Sequence, residues 1–194
     1  MKRAVFLDRD GVINRRAGKE AYVTRWEDFQ FLPGVAEGIV ALNRAGWSVI
    51  VVSNQRCVGR GLLSIEELEA IHRRMRTELL VAGAKVDGIY YCPHEKEPAC
   101  DCRKPAPGML LTAANEHQVD LRSSWMIGDS ETDVEAGKRA GCRTAQLVAD
   151  PESANGNADL FARSLVEASR RILRSPEKAE EVSEPRELRL PPDA

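Results

Sequence analysis

The stretch "AVFLDRDG", residues 4–11, joins a short apolar run to a cluster of charged residues. The run at 4–7 has no polar position, which is typical of a strand buried on both faces of a parallel sheet. It ends at Asp8, and a second carboxylate follows at Asp10. The stretch therefore predicts a buried strand whose carboxyl end carries acidic groups.

Four further apolar runs resemble the first and predict the rest of the sheet. They are "WSVIVVSNQ", "GIYYCP", "SWMIGDS" and "TAQLV", beginning at residues 47, 88, 124 and 144. Helical signals lie between and after them. Pro33-Gly34 precedes a helix that ends near Gly46, and Pro107 suits the first turn of another. Capping boxes at Ser64 and Glu67 and at Ser164 and Glu167 begin two more helices, the last of which runs to about Leu173. This alternation predicts an α/β fold, a doubly wound, Rossmann-like parallel sheet with helices on both faces.

Composition predicts one globular domain over residues 1–174 and a tail. The chain has 194 residues, 43% of them hydrophobic and 30% charged, which suits a single core. Residues 175–194 hold four of the ten prolines and no aromatic residue. Such a segment cannot bury enough surface to offset its ordering entropy, so we expect a disordered tail.

Charge and the N-terminal sequence narrow the class of partner. The formal net charge of −2 is too small for a partner attracted by the overall field, so we expect neither nucleic acid nor a membrane surface as a partner. We see no signal-peptide pattern and no uncharged stretch long enough to span a bilayer. We therefore expect a cytoplasmic protein, a monomer, that acts on a small molecule.

Polar side chains follow several of the predicted strands, where sites of open α/β sheets lie. Asp8 and Asp10 follow the first, Ser53 and Asn54 the second, and Asp129 the fourth. Like-charged carboxylates about 4 Å apart repel by about 4 kcal/mol at an effective dielectric of 20, and a hard divalent cation removes that penalty. Oxygen ligands favour Mg²⁺.

A lysine after the third predicted strand completes the pattern. Lys104 follows a cysteine-rich loop and, together with the cation, would balance the charge of a bound phosphate. The chemistry indicated is phosphoryl transfer. The alternative for each single aspartate is a turn cap, since aspartate is common after strands.

A compact set of soft ligands lies in "YYCPHEKEPACDCRKPAPG", residues 90–108. The set is Cys92, His94, Cys100 and Cys102. Three sulfurs and one imidazole suit a closed tetrahedral Zn²⁺ site with no open position, hence a structural one. A Cys100–Cys102 disulfide or free thiols are the alternatives that spacing leaves open.

Taken in order, the motifs "FLDRDGVIN", "VVSNQ", "CRKPAPGML" and "MIGDSETDVEAG" resemble those of the haloacid dehalogenase superfamily of phosphatases. The Cys-x-His and Cys-x-Cys insert is similar to that of its branch of histidinol phosphatases and heptose bisphosphate 7-phosphatases, and most resembles the heptose enzymes. The resemblance covers about residues 3–173. It implies a Mg²⁺-dependent phosphatase with no large cap domain and a short zinc-binding loop, acting on a phosphorylated sugar.

The resemblance also implies roles for the acidic residues. Asp8 is expected to be the nucleophile that becomes an aspartyl phosphate, and Asp10 the general acid and base. Mg²⁺ is expected on the carboxylate of Asp8, the backbone carbonyl of Asp10 and the carboxylate of Asp129. Asp133 is expected to orient Lys104 or metal-bound water, or to cap a helix.

The remaining expectations concern phosphate and substrate. Ser53 and Asn54 are expected to hold the transferred phosphate with Lys104, and Arg103 a second phosphate that is retained, since a guanidinium binds phosphate bidentately. Ser130 stands where many relatives carry a basic residue. Histidinol phosphate, a polynucleotide 3′-phosphate, and a non-enzymatic zinc-stabilised binding domain are the alternatives.

Overall fold

The computed structural model describes residues 1–18 and 21–174 and folds them around one six-stranded sheet. All neighbouring strands run parallel, in the order β3-β2-β1-β4-β5-β6. The strands are β1 Ala4–Leu7, β2 Ser48–Asn54, β3 Gly88–Cys92, β4 Trp125–Gly128, β5 Arg143–Leu147 and β6 Leu160–Ala162. The doubly wound sheet predicted from the sequence is confirmed. The predicted tail at 175–194 lies outside the described residues.

Helices cover both faces of the sheet. They are α1 Val35–Arg44, α2 Arg56–Gly59, α3 Ile65–Val81, α4 Gly108–His117, α5 Glu131–Ala140 and α6 Leu165–Arg174, with a 3₁₀ helix at Trp26–Asp28. Apolar residues of α1, α3 and α6 pack with one set of alternating strand residues, and those of α4 and α5 pack with the other set. None of the helices in the described part of the chain is long and apolar enough to cross a membrane.

The strand order places the candidate site at the switch point of the sheet. From β1 the chain winds outward through β2 and β3, and from β4 it winds the other way through β5 and β6. β1 and β4 are neighbours, and their carboxyl ends are followed by Asp8 and Asp129. Crevices at such a switch point are where open α/β sheets bind ligands.

Several local predictions need correction. A short helix, α2, lies at Arg56–Gly59, where no helix was predicted from the sequence. Pro107 is the N-cap of α4, one position before the first turn. At the start of α6 the backbone N–H of Glu167 bonds the Ser164 hydroxyl as expected, but the Glu167 carboxylate accepts from the backbone of Arg163 and not from that of Ser164.

Candidate active site

Lys104 and Asp8 form a buried ion pair at the carboxyl edge of the sheet. Lys104 Nζ lies 2.8 Å from Asp8 Oδ1 and 2.7 Å from Asp133 Oδ1, and it donates to the Val52 carbonyl at 2.8 Å. Lys104 is only 3% exposed. Burial lowers the pKa of Lys104, but the two carboxylates outweigh burial and raise the pKa above its ordinary value. The ammonium is therefore charged and fixed by three acceptors.

Asp8 and Asp129 carry negative charge that their surroundings disfavour. Burial raises the pKa of Asp8 to about 6, against the opposing charge of Lys104. Burial also raises the pKa of Asp129 to about 7, and the charge of Asp8 adds to this. One carboxylate oxygen from each of Asp8, Asp129 and Asp133 lies within 4.8 Å of the others. A cation at this position would relieve the repulsion.

Two glycines permit the close approach of these carboxylates. Gly11 has φ +96°, and a Cβ there would lie 1.9 Å from Asp129 Oδ2. A Cβ on Gly128 would lie 2.1 Å from the Cβ of Asp133. Any side chain at either position would push an aspartate out of the site.

Asp133 and Ser130 also organise the start of α5. Asp133 Oδ2 accepts hydrogen bonds from the backbone N–H of Ser130 at 3.2 Å and from its hydroxyl at 2.5 Å, while Oδ1 faces Lys104. Asp133 thus combines both of the roles that the sequence left open. Ser130 is the N-cap of this helix.

The Asp10 carboxylate is held by three side chains. Arg9 Nη2 lies 2.9 Å from Oδ2 and 3.0 Å from Oδ1, Asn14 donates to Oδ1 at 2.8 Å, and Gln55 donates to Oδ2 at 2.9 Å. Burial would raise the pKa of Asp10, but the Arg9 charge and these hydrogen bonds outweigh it and lower the pKa below its usual value. Asp10 is therefore ionised and oriented.

Ser53 and Asn54 end β2 with different partners. The Ser53 hydroxyl accepts a hydrogen bond from Gln55 Nε2 at 2.8 Å, which leaves its own proton free to donate. Asn54 bonds the backbone of Lys104 twice, accepting from its N–H at 3.0 Å and donating to its carbonyl at 3.0 Å. These bonds favour a positioning role for Asn54, because its amide fixes the backbone that carries the Lys104 ammonium.

The oxygen atoms around Asp129 suit a hard cation. The guanidinium of Arg16 lies there, with Nη2 2.8 Å from Asp129 Oδ1 and Nε 3.3 Å from the Asp10 carbonyl oxygen. A single cationic side chain thus contacts both Asp129 Oδ1 and the Asp10 carbonyl oxygen, two of the groups predicted to hold Mg²⁺. Carboxylate and carbonyl oxygens are the ligands that Mg²⁺ prefers.

The four soft ligands of residues 90–108 form one cluster. The Sγ atoms of Cys92 and Cys102 lie 3.6 Å and 3.4 Å from that of Cys100, and His94 Nδ1 lies 3.2 Å from Cys102 Sγ. Sulfurs about 3.7 Å apart are expected around a tetrahedral Zn²⁺ with bonds of about 2.3 Å. All five cysteines are free, so the Cys100–Cys102 disulfide considered from the sequence is not formed. The cluster could hold a metal ion.

The cysteine-rich loop is docked against α2 beside Ser53. The backbone N–H of Gly59 donates to Pro93 O at 2.8 Å, and that of Gln55 donates to Cys92 O at 2.8 Å. A Cβ on Gly59 would lie 2.8 Å from Pro93 O, so the contact requires glycine. Arg56 and Glu95 add an ion pair at 2.6 Å across the same interface.

Arg103 differs in its partners from Arg16 and Arg56, two other arginines near the site. Arg56 is paired with Glu95 and Arg16 with Asp129, whereas Arg103 Nη1 donates to the His94 carbonyl at 3.3 Å. Among residues 1–18 and 21–174, no carboxylate forms an ion pair with Arg103. Its charge is therefore available to an anion.

A cavity of about 460 Å³ adjoins Asp129. It runs from Gly11 and Asp129 to the start of α6, where Arg163 and Ser164 line it. Its other walls are mainly apolar, including Leu32 and Leu147.

The structure brings together most of the residues singled out from the sequence. Asp8, Asp10, Asp129, Asp133 and Lys104 lie at one edge, joined by the contacts described above. The sequence reasoning missed four residues that hold this group in place, namely Arg9, Asn14, Gln55 and His72. The signal was available for three of them, since Arg9, Asn14 and Gln55 are polar residues inside the quoted motifs. His72 gave no such signal on the apolar stripe of α3.

Comparison with known proteins gives a consistent set of relatives. A family model described as HAD-hydrolase-like matches residues 101–168. The chain is 42% identical over 139 residues to the D-glycero-beta-D-manno-heptose-1,7-bisphosphate 7-phosphatase of Pseudomonas putida, covering 72% of this chain and 78% of that protein. It is 39% identical over 170 residues to the enzyme of the same name from Photorhabdus laumondii, covering 84% and 89%.

A solved structure is similar in fold as well as sequence. It is the D,D-heptose 1,7-bisphosphate phosphatase from B. bronchiseptica, complexed with magnesium and phosphate. The two chains superpose with a TM-score of 0.80 at 33% identity, over 89% of this chain and 98% of that one.

Proposed function

The chain belongs to the haloacid dehalogenase superfamily of hydrolases, among the heptose bisphosphate phosphatases, and we propose that it removes the 7-phosphate of D-glycero-D-manno-heptose 1,7-bisphosphate. The observation that carries the proposal is the buried Lys104 fixed between Asp8 and Asp133, next to a third carboxylate at Asp129. Such an edge can neutralise a phosphate and present a carboxylate to it.

In the proposed reaction Asp8 is the nucleophile. Its free oxygen attacks phosphorus, an aspartyl phosphate forms, and the sugar oxygen leaves. Ser53 donates its hydroxyl proton to a phosphate oxygen, and Lys104, whose three donors are held by its acceptors, stabilises the phosphate through its charge. Asn54 acts through Lys104, whose backbone it holds.

Asp10 is the proposed general acid and base. It takes up a proton from solvent when the phosphate binds and gives that proton to the departing sugar oxygen in the first step; in the second step it takes a proton from the water that attacks the acyl phosphate. Its lowered pKa suits the second step directly. A bound phosphate dianion raises the proton affinity of a nearby carboxylate, which favours the first step.

We propose that Mg²⁺ is held by the carboxylates of Asp8 and Asp129 and the carbonyl oxygen of Asp10. When bound, it supplies charge neutralisation for the phosphoryl group and for the two carboxylates. The relative from B. bronchiseptica was crystallised with magnesium and phosphate, which supports this choice of metal.

We propose that Zn²⁺ is bound by Cys92, His94, Cys100 and Cys102 and has a structural role. Four protein ligands leave it no open position for water or substrate. Its effect on activity is indirect, because the last ligand, Cys102, immediately precedes Arg103 and Lys104. Fixing the loop fixes both cations.

The retained 1-phosphate is proposed to bind Arg103. The guanidinium is free of a carboxylate partner in the described part of the chain, as noted above, and follows the zinc loop directly. An anion-binding arginine favours a bisphosphate over histidinol phosphate, whose amine is cationic. Histidinol phosphate remains the second candidate because the branch of the superfamily includes its phosphatase.

We also propose that residues 1–174 form the catalytic domain and that the protein acts as a monomer in the cytoplasm. Five free cysteines suit a reducing compartment.

A phosphate-release screen tests the proposed substrate. The panel contains heptose 1,7-bisphosphate, histidinol phosphate, nucleotides and an oligonucleotide with a 3′-phosphate, each with Mg²⁺. We expect the highest kcat/KM on the heptose bisphosphate, and none of these activities in Asp8→Asn. A preference for histidinol phosphate would replace the proposed substrate, and a preference for the oligonucleotide that falls steeply with salt would indicate a nucleic-acid substrate.

A further inference from the structure

Arg9 is a charged side chain buried below the candidate site, where substrate cannot reach it. It is 1% exposed, and its guanidinium packs 6.0 Å from the ring of Phe29. Its Nη2 atom contacts both oxygens of Asp10 at 2.9 Å and 3.0 Å. Among the proposed catalytic groups, Arg9 contacts Asp10.

The other terminal nitrogen of Arg9 is bound by a histidine. Arg9 Nη1 lies 3.1 Å from Nε2 of His72, which is buried on α3. Because a guanidinium can only donate, this Nε2 must be the acceptor, and the ring proton of the neutral histidine is on Nδ1. The His72 ring also packs 5.5 Å from that of Tyr91, which limits its rotation.

We propose that Arg9 and His72 form a positioning pair for the general acid and base, so that α3 sets the place of the Asp10 carboxylate. The inference rests on the function proposed above. The chain of contacts runs from His72 to Arg9 and from Arg9 to both Asp10 oxygens, and each member is buried or oriented by its neighbours.

The geometry explains why two residues are needed. The guanidinium contacts Asp10 through Nε and Nη2, and its third nitrogen, Nη1, is held by His72, so the orientation of the planar group is fixed at both ends. Without an acceptor at His72, Nη1 would be a buried donor with no partner at that position, and the guanidinium would shift to satisfy it. The Asp10 carboxylate would move with it.

The first test compares two replacements of His72 in the full chain. His72→Leu removes the acceptor, while His72→Gln places an amide oxygen near the position of Nε2. Because a displacement of about 1 Å can cost about a hundredfold in rate, we expect His72→Leu to lower kcat on the sugar phosphate by about ten- to a hundredfold. KM should change by less than about twofold, and His72→Gln should recover most of kcat.

A second measurement separates positioning from general loss of stability. Protonation by Asp10 matters for an alkyl leaving group and little for p-nitrophenolate. In single-turnover experiments, His72→Leu should therefore slow phosphorylation of the enzyme by the sugar phosphate far more than by p-nitrophenyl phosphate. Met75→Ala, which removes buried volume one turn further along the same helix, is the control and should show no such difference.

Arg9→Lys covers the case in which His72→Leu does not fold. A lysine keeps the charge but cannot contact both Asp10 oxygens and His72 together, so it should give the same kcat loss. The inference is overturned if His72→Leu or Arg9→Lys keeps wild-type kcat, if His72→Gln is as impaired as His72→Leu, or if Met75→Ala shows the same leaving-group dependence. A wild-type protein that hydrolyses no phosphomonoester would instead overturn the proposed function.

Discussion

At the scale of single residues, the proposed function makes the Asp8 carboxylate the group on which turnover depends most. Asp8→Asn keeps nearly the same shape but is not a competent nucleophile, so kcat should fall by on the order of 10⁴-fold or more. The fold should persist, because Asp133 still pairs with Lys104. Phosphate release and thermal melting measure the two effects, with the exposed Asp28→Asn as the control substitution. Wild-type turnover in Asp8→Asn would exclude the covalent route.

Arg103 is the residue that should distinguish a bisphosphate from a monophosphate. A charge-assisted contact to the retained phosphate contributes about 1.5 to 3 kcal/mol, or about ten- to a hundredfold in kcat/KM. Arg103→Ala should lose this factor on the heptose bisphosphate and little on a monophosphate. Arg73→Ala, on the exposed face of α3, is the control. Equal losses on the two substrates would assign Arg103 to the transferred phosphate.

The raised pKa values of Asp8 and Asp129 predict how Mg²⁺ binding depends on pH. With pKa values of about 6 and about 7, these carboxylates are partly protonated at pH 6 and ionised at pH 8. Mg²⁺ must displace those protons, so its affinity should rise with pH, by about tenfold between pH 6 and pH 8 from Asp129 alone. Titration calorimetry of the full chain measures this. An affinity independent of pH over this range would contradict the described electrostatics.

Asp8 and Asp129 also set the direction in which the free energy of unfolding changes with pH in metal-free buffer. Because their folded pKa values lie above the ordinary 3.8, the folded state binds more protons than the unfolded state between pH 4 and pH 7. These groups should therefore make the free energy of unfolding fall as pH rises through 6 and 7. Mg²⁺ should offset that loss, so the melting temperature shift it produces should be larger at pH 8 than at pH 5.5. A larger shift at the lower pH would be inconsistent with these pKa values.

At the scale of elements, the cysteine-rich loop is expected to fix the positions of Arg103 and Lys104 and to take no direct part in the reaction. Cys100→Ser should lose bound zinc, lower the melting temperature and reduce kcat, because structural zinc binding is coupled to local folding. Added Mg²⁺ should not restore the activity. Elemental analysis and melting curves check this. Cys142 is a buried thiol outside the cluster, so the control variant Cys142→Ala should keep its zinc. Reduced, active and fully stable protein without zinc would contradict the assignment.

The elements differ in how well the sequence predicts them, for physical reasons. β1 to β5 were predicted because each is a short apolar run, and α3 because Ser64 and Glu67 form a capping box that the structure confirms. β6 was missed, since it has three residues of which one is buried, and it follows a run rich in Gly, Asn and Ser. α5 was not singled out as a helix because its buried face consists largely of Ala136, Gly137 and Ala140, which give a weak periodic signal.

The residues of the candidate site also differ in how well the sequence predicts them. The motif positions of Asp8, Asp129 and Lys104 follow from strand ends, because parallel strands bring their carboxyl ends to one edge. The partners of Asp10 could not be predicted in the same way. His72 comes from a helix 63 residues along the chain from Arg9, and only the packing of α3 on the sheet brings the two together.

At the scale of the whole molecule, the fold places the acidic groups and the cations of the candidate site on different segments. The switch point between β1 and β4 provides the acidic groups, and the segment after β3 provides the cations, with Asn54 joining the two through the Lys104 backbone. In the proposed function, substrate selection depends on which phosphate lies at Asp8 and which at Arg103.

The most direct test of the account is ³¹P nuclear magnetic resonance of heptose 1,7-bisphosphate during turnover with Mg²⁺. The account predicts that the C7 monoester signal disappears as inorganic phosphate appears, while the anomeric phosphate signal remains. It also predicts no change in either signal with Asp8→Asn. Loss of the anomeric phosphate first, or a bisphosphate that persists beside an enzyme active on other phosphomonoesters, would contradict the central claim.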